Sequence, residues 1–176
     1  MQRPQPTQNE RHFDSTEIIV SKTDTRGRIT YANDVFCRVG LYSETELIGQ
    51  PHSILRHPDM PRCVFHLLWQ RIEAGHEIFA YVKNMAKNGD YYWVFAHVTP
   101  SFNAQGGIEG YHSNRRVPER KAIETIAPIY AALLAEEQRH ADRKQGMHAG
   151  AAMLQAELQR IGMEYDEFVF RIAGLV

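Results

Sequence analysis

The chain has 176 residues, 43% of them hydrophobic and 23% charged, with a formal net charge of −1. That length suits one domain with appendages, and that balance lets an ordinary soluble core form. No basic block is present to release counterions from nucleic acid, and no apolar run approaches the roughly 20 residues that cross a bilayer. Neither nucleic-acid binding nor a direct membrane span is therefore expected.

Met1 to Asn9 is polar and rich in Pro and Gln, unlike a signal or transit peptide, so a cytoplasmic protein with a flexible segment over 1–12 is expected. Ile18–Asp24 begins β-branched and turns polar, as a first strand does. Asp24–Arg28 is a tight turn with Gly27 available for positive φ, and Ile29–Asn33 returns as the second strand of a hairpin. Asp34–Val39 reads as a helical turn. Ser43 with Glu46 is a capping box opening a short helix that Gly49 ends.

Residues 50–61, Gln-Pro-His-Ser-Ile-Leu-Arg-His-Pro-Asp-Met-Pro, carry the densest chemistry of the chain. Proline lacks the N–H and fixes φ, so this run is neither a regular helix nor a central strand. It is a stiff connector bearing Arg56, Asp59, His52 and His57. Taken alone, it is either a solvated surface loop or the wall of a ligand site.

Arg62–Ala74 places Val64, Phe65, Leu67, Leu68, Trp69 and Ile72 at helical spacing. Three strands follow at Ile78–Met85, Tyr91–Ser101 and Ile108–Arg115. Asn88-Gly89 predicts a type I′ hairpin turn between the first two, and Asn103–Gly107 turns the second pair. Two strands, several short helices, then three strands predict an antiparallel α+β sheet, with a small-molecule cavity between sheet and helices. Beyond Pro118 the composition turns helical. Ile123, Ile126, Tyr130 and Leu133 form one apolar stripe, and Leu154, Leu158 and Ile161 another. A kink or restart is expected at Pro128 and a break near Gly146 and Gly150.

Cys37 and Cys63 stand in unrelated amphipathic stretches, as buried, reduced thiols do. The nine histidines show no metal-ligand spacing. Asp59 with His57 could form a base pair for catalysis. No nucleophile, metal cluster or phosphate loop accompanies them, so no enzyme is expected.

Three stretches together carry a resemblance. They are Asp24 through Asn33 to Phe36, Gly49–Pro61 with its Arg-His-Pro-Asp-Met-Pro core, and Val82-Lys83-Asn84 followed by Lys87–Asp90 and Tyr92-Trp93-Val94. Over roughly residues 14–130 the chain resembles PAS domains of the bacterial aerotaxis-receptor type. The resemblance implies a five-stranded antiparallel PAS fold with short helices on one face, spanning 13–117. A helical extension over 118–176 follows, and because its two apolar stripes exceed what a solvated linker needs, dimerisation or partner contact is expected there.

It further implies a flavin, FAD, held non-covalently and reporting redox state or oxygen. Arg56, His57 and Asp59 match positions that support FAD. Asn33, His52, Phe65, Trp69 and Asn84 match pocket residues. A fork such as Arg56 suits a phosphate or ring carbonyl, and an amide such as Asn84 suits a pyrimidine-like edge. The chain departs from the family at Ile78 and Ala80, where tryptophan and glycine are common, and at Met85, where arginine often stands.

Relatives of this type continue into membrane helices and a signalling coiled coil. This chain carries no kinase, cyclase or methyl-accepting module, so the implied output is contact with a methyl-accepting chemotaxis-type receptor or other signalling protein, from a homodimer. Two alternatives stay open. One is an interaction module without cofactor. The other is a haem gas sensor with His66, His97 or His112 as axial ligand.

Overall fold

A computed structural model describes residues 4–176. Strands β1 (Ile19–Thr23), β2 (Ile29–Ala32), β3 (Ile78–Met85), β4 (Tyr91–Phe102) and β5 (Ile108–Arg116) form one antiparallel sheet in the order β2-β1-β5-β4-β3. Ile19 pairs with Arg115 and Ser21 with Ser113, which puts the first strand beside the last. The two hairpins thus meet at the middle of the sheet. Between them run α1 (Asp34–Gly40), α2 (Glu44–Leu47), a 3-10 turn (His52–Leu55) and α3 (Arg62–Glu73).

Local signals built these elements. At the first turn the Asp24 carboxylate accepts from the N–H groups of Arg26 and Arg28, at 2.9 and 2.8 Å. The capping box is present in both directions: Ser43 Oγ accepts from Glu46 N, and the Glu46 carboxylate accepts from Ser43 N. The β3–β4 turn differs from the expected type I′. That type needs positive φ at both central residues, and here Gly89, at φ 94°, is the only one of the pair that has it. Asn88 instead turns its side-chain oxygen to accept from Asp90 N.

The segment expected to be flexible is tied down over residues 7–11. Thr7 N donates to Gly89 O, Arg11 N donates to Tyr91 O, and the Thr7 hydroxyl donates to Asp90. The free edges of the β3–β4 hairpin end supply the partners. Residues 1–3 of that segment lie outside the described residues.

The last third forms α4 (Arg120–Gln138), α5 (Arg143–Ile161) and α6 (Tyr165–Ile172). Pro128 lies inside α4 without ending it. The break falls at 139–142 rather than near Gly146 and Gly150, because Asp142 caps α5 by accepting from Gln145 N at 2.7 Å. Both glycines are inside α5, where they permit close approach. A Cβ on Gly150 would sit 2.9 Å from Glu137 Cγ and 3.2 Å from Cys63 Sγ.

These helices wrap the sheet. On the outer face Tyr130 of α4 stacks on Trp93 and donates its hydroxyl to Tyr81 O at 2.8 Å, and Phe170 of α6 meets Phe79 at 4.9 Å. On the other side α5 lies against α3, with His66 and His148 edge-on at 5.6 Å. Ile123, Ile126, Tyr130, Leu133, Leu154 and Leu158 are all buried in this way. The two apolar stripes expected to serve a dimer or a partner are therefore covered within one chain, except Ile161, which is exposed.

Candidate functional site

A cavity of about 270 Å³ lies between the inner sheet face and the central helices. Strand parity supplies its roof. Val82 and Asn84 of β3, Ala96 and Val98 of β4, and Tyr111, Ser113 and Arg115 of β5 alternate inward, together with Ser21 of β1. The floor comes from α3, whose helical period puts Phe65, Leu68, Trp69 and Ile72 on one face. The proline-rich connector closes one wall with His52, Ser53 and Arg56.

Aromatic contacts set the shape. Trp69 meets Tyr111 edge-on at 5.5 Å, and the Arg56 guanidinium lies 3.9 Å over the Phe65 ring. A bridge between the Arg56 and Asn84 backbones ties the connector to the edge of the sheet. His52 Nε2 is 3.2 Å from Ser21 Oγ. Burial, then Arg115 and Arg56, push the His52 ring down to about 3, so it is neutral at physiological pH.

Five of the eight candidate residues meet here: His52, Arg56, Phe65, Trp69 and Asn84. The other three do not line the cavity. Asn33 is the N-cap of α1: its oxygen accepts from Phe36 N and Val20 N, and its amide donates to Ile18 O. His57 is buried beside Tyr91 and accepts from Asp59 N through Nδ1 at 3.1 Å. Asp59 is exposed and pairs with Lys83 at 2.6 Å. These two fold the connector onto β3. None of His66, His97 and His112 lines the cavity. His97 stacks on Phe79 at 4.1 Å on the outer face.

Arg115 was not among the expected residues. It is 2% exposed, and its Nη2 donates to Ser21 Oγ. The guanidinium lies 4.6 Å over the Phe36 ring, while Nε and Nη1 have no hydrogen-bond partner among the described residues. Burial lowers its pKa to about 10, so it stays charged at neutral pH. Parity along β5 could have found it, since Tyr111, Ser113 and Arg115 share one face. A charge at an inward position is the signal. Arg26, Arg56 and Arg115 all border the cavity, and among the described residues no carboxylate does.

Residues 29–114 match the PAS fold family. The chain carries a PAS domain. Over 130 residues, 74% of its length, it is 40% identical to the aerotaxis receptor of Escherichia coli strain K12, covering 26% of that protein. It is 33% identical over 103 residues to the nitrogen fixation regulatory protein of Klebsiella pneumoniae, covering 21% of that protein. The chain thus spans about a quarter or less of these two relatives.

Among solved structures, a light-oxygen-voltage domain studied with a flavin analogue superposes with a TM-score of 0.56 at 16% identity, over 63% of this chain and 83% of that one. The light state of the Aureochrome1 light-oxygen-voltage photoreceptor superposes at 0.54 and 23% identity, over 69% and 91%. These likenesses show the five-stranded PAS fold, to which this chain adds α4, α5 and α6.

Proposed function

We propose that this PAS domain is a redox or oxygen sensor that holds FAD non-covalently in the sheet–helix cavity. The observation that carries the proposal is the cavity lining: Trp69, Phe65 and Val98 give it apolar walls, Asn84 and cations border it, and no carboxylate among the described residues does. A flat heteroaromatic ring with acceptor-rich edges fits that set. The likeness to an aerotaxis receptor supports flavin over other rings. FAD is preferred to FMN on the resemblance of the Arg56–Pro61 segment to that branch. When bound, a flavin supplies reversible electron uptake. The chain's own part is to stack the ring on Trp69 and Phe65, to offer hydrogen bonds from Asn84 and Arg56, and to keep the site dry.

Among the described residues His52 is the only imidazole bordering the cavity, and its Nε2 is engaged with Ser21, which disfavours a haem ligand. Among the described residues no helix is long and apolar enough to cross a membrane. Output in this proposal is contact with a chemotaxis-type receptor in the cytoplasm. The homodimer expectation rested on stripes now covered internally, so a monomer in both redox states is the expected sedimentation result. Purified protein is denatured and the released ligand identified by chromatography. FAD supports the proposal, and protein that takes up no flavin even in excess defeats it.

A further inference from the structure

We infer that Arg115 is a ligand-binding residue that takes the acceptor edge of the bound ring at the inner end of the cavity. This rests on the flavin proposal above. Arginines buried this deeply are ordinarily matched by a carboxylate, because an uncompensated charge is costly to remove from water. Among the described residues Arg115 makes no ion pair, and two of its N–H-bearing nitrogens lack any partner. A buried donor left open in a native protein calls for an acceptor. Ser21 and the Phe36 face hold the guanidinium in place, but neither neutralises it.

The acceptor belongs to the ring rather than to a phosphate. Arg115 stands on β5, between β1 and β4, at the interior of the sheet. The exposed lining residues are Arg26, Pro51 and Ser53, which mark the mouth. A strongly hydrated phosphate is held most cheaply there, where water still reaches it. A ring carbonyl and its neighbouring nitrogen present the paired acceptor geometry that a guanidinium fork matches. Reduction adds electron density to such an edge, so a fixed cation beside it also raises the potential of the bound ring.

The test titrates the full chain, freed of ligand, with riboflavin, FMN and FAD, in the wild type, R115M and R115K, with circular dichroism on each sample. In R115M the three affinities fall together, by roughly ten- to a hundredfold. The flavin that R115M retains has a more negative potential. R115K, which keeps the charge without the fork, falls between; it also decides the matter should R115M fail to fold. Unchanged affinity for all three ligands overturns the inference while leaving the flavin proposal standing. Loss confined to FMN and FAD overturns it too, because Arg115 would then be a phosphate clamp. A wild type that binds none of the three defeats the flavin proposal, and this inference with it.

Discussion

The Glu137 carboxylate caps α3 from 74 residues away: it accepts from Cys63 N at 2.8 Å and from Arg62 N at 2.9 Å. Pro61 precedes α3 and offers no side-chain cap, so the first turn would otherwise keep open donors. Glu137 sits near the end of α4 and is 4% exposed. It joins the C-terminal helices to the helix that floors the cavity.

Glu137→Ala leaves one buried and one half-buried N–H group unmatched and lowers the unfolding free energy by about 2–3 kcal/mol. Glu137→Gln keeps an acceptor oxygen and loses less. Urea denaturation measures both, with the midpoint moving and the slope unchanged. Equal stability of Glu137→Ala and wild type would mean that the cap is idle.

Cys63 lies against this carboxylate. Burial, then Glu137, pushes its thiol from 9.0 up to about 12. The folded thiol keeps its proton while the unfolded one releases it above 9.0. Stability therefore declines as pH rises from about 9 towards 12. In native protein at pH 8 Cys63 resists alkylation, and it reacts once the chain is unfolded. Rapid labelling of Cys63 in the native state, read by mass spectrometry, would contradict this.

His52 gives an acid-side dependence. Its folded pKa of about 3 lies below the ordinary 6.5, so the unfolded chain binds a proton that the folded chain refuses. The neutral-ring contribution is whole above 6.5 and is lost as pH falls from there towards about 3, by up to about 1.4 kcal/mol per pH unit. His52→Asn flattens the fall in stability between pH 6 and 4 (about the centre of that window) relative to wild type. Parallel curves would place the titrating group elsewhere.

Two of the three candidates outside the cavity, Asn33 and Asp59, separate from those within it. Asn33→Ala removes the α1 cap and costs about 1–2 kcal/mol of stability without a specific loss of flavin affinity. Asp59→Ala breaks an exposed ion pair and changes stability by less than about 1 kcal/mol. Arg56→Ala, in contrast, lowers flavin occupancy in a folded protein, by roughly tenfold or more in affinity. Flavin absorbance and circular dichroism on the same samples compare them. Full occupancy in Arg56→Ala, or a folded Asn33→Ala that releases its flavin, reverses the assignment.

The α+β order, the hairpins and the α3 face were legible from sequence, because strand and helix periods and capping residues act over a few positions. Trp69 and Phe65 declare themselves by helical spacing, and Arg56 and His52 by the proline-stiffened connector that holds them. Asn33 matches a pocket position of the family, yet its place just before a helix is the signature of a cap, and its oxygen accepts two backbone hydrogen bonds while its amide donates a third. Which groups meet across long separations was decided by tertiary structure alone. Glu137 reaches Cys63 because the glycines of α5 let three helices close on one another, and no local pattern encodes that meeting. Arg115 enters the cavity because β5 pairs with β1 in a register that sets Ser113 opposite Ser21. A shift of one residue would turn Arg115 to the other face, since side chains alternate along a strand. Composition and period thus determine what the elements are, and register and packing determine which charges share the site.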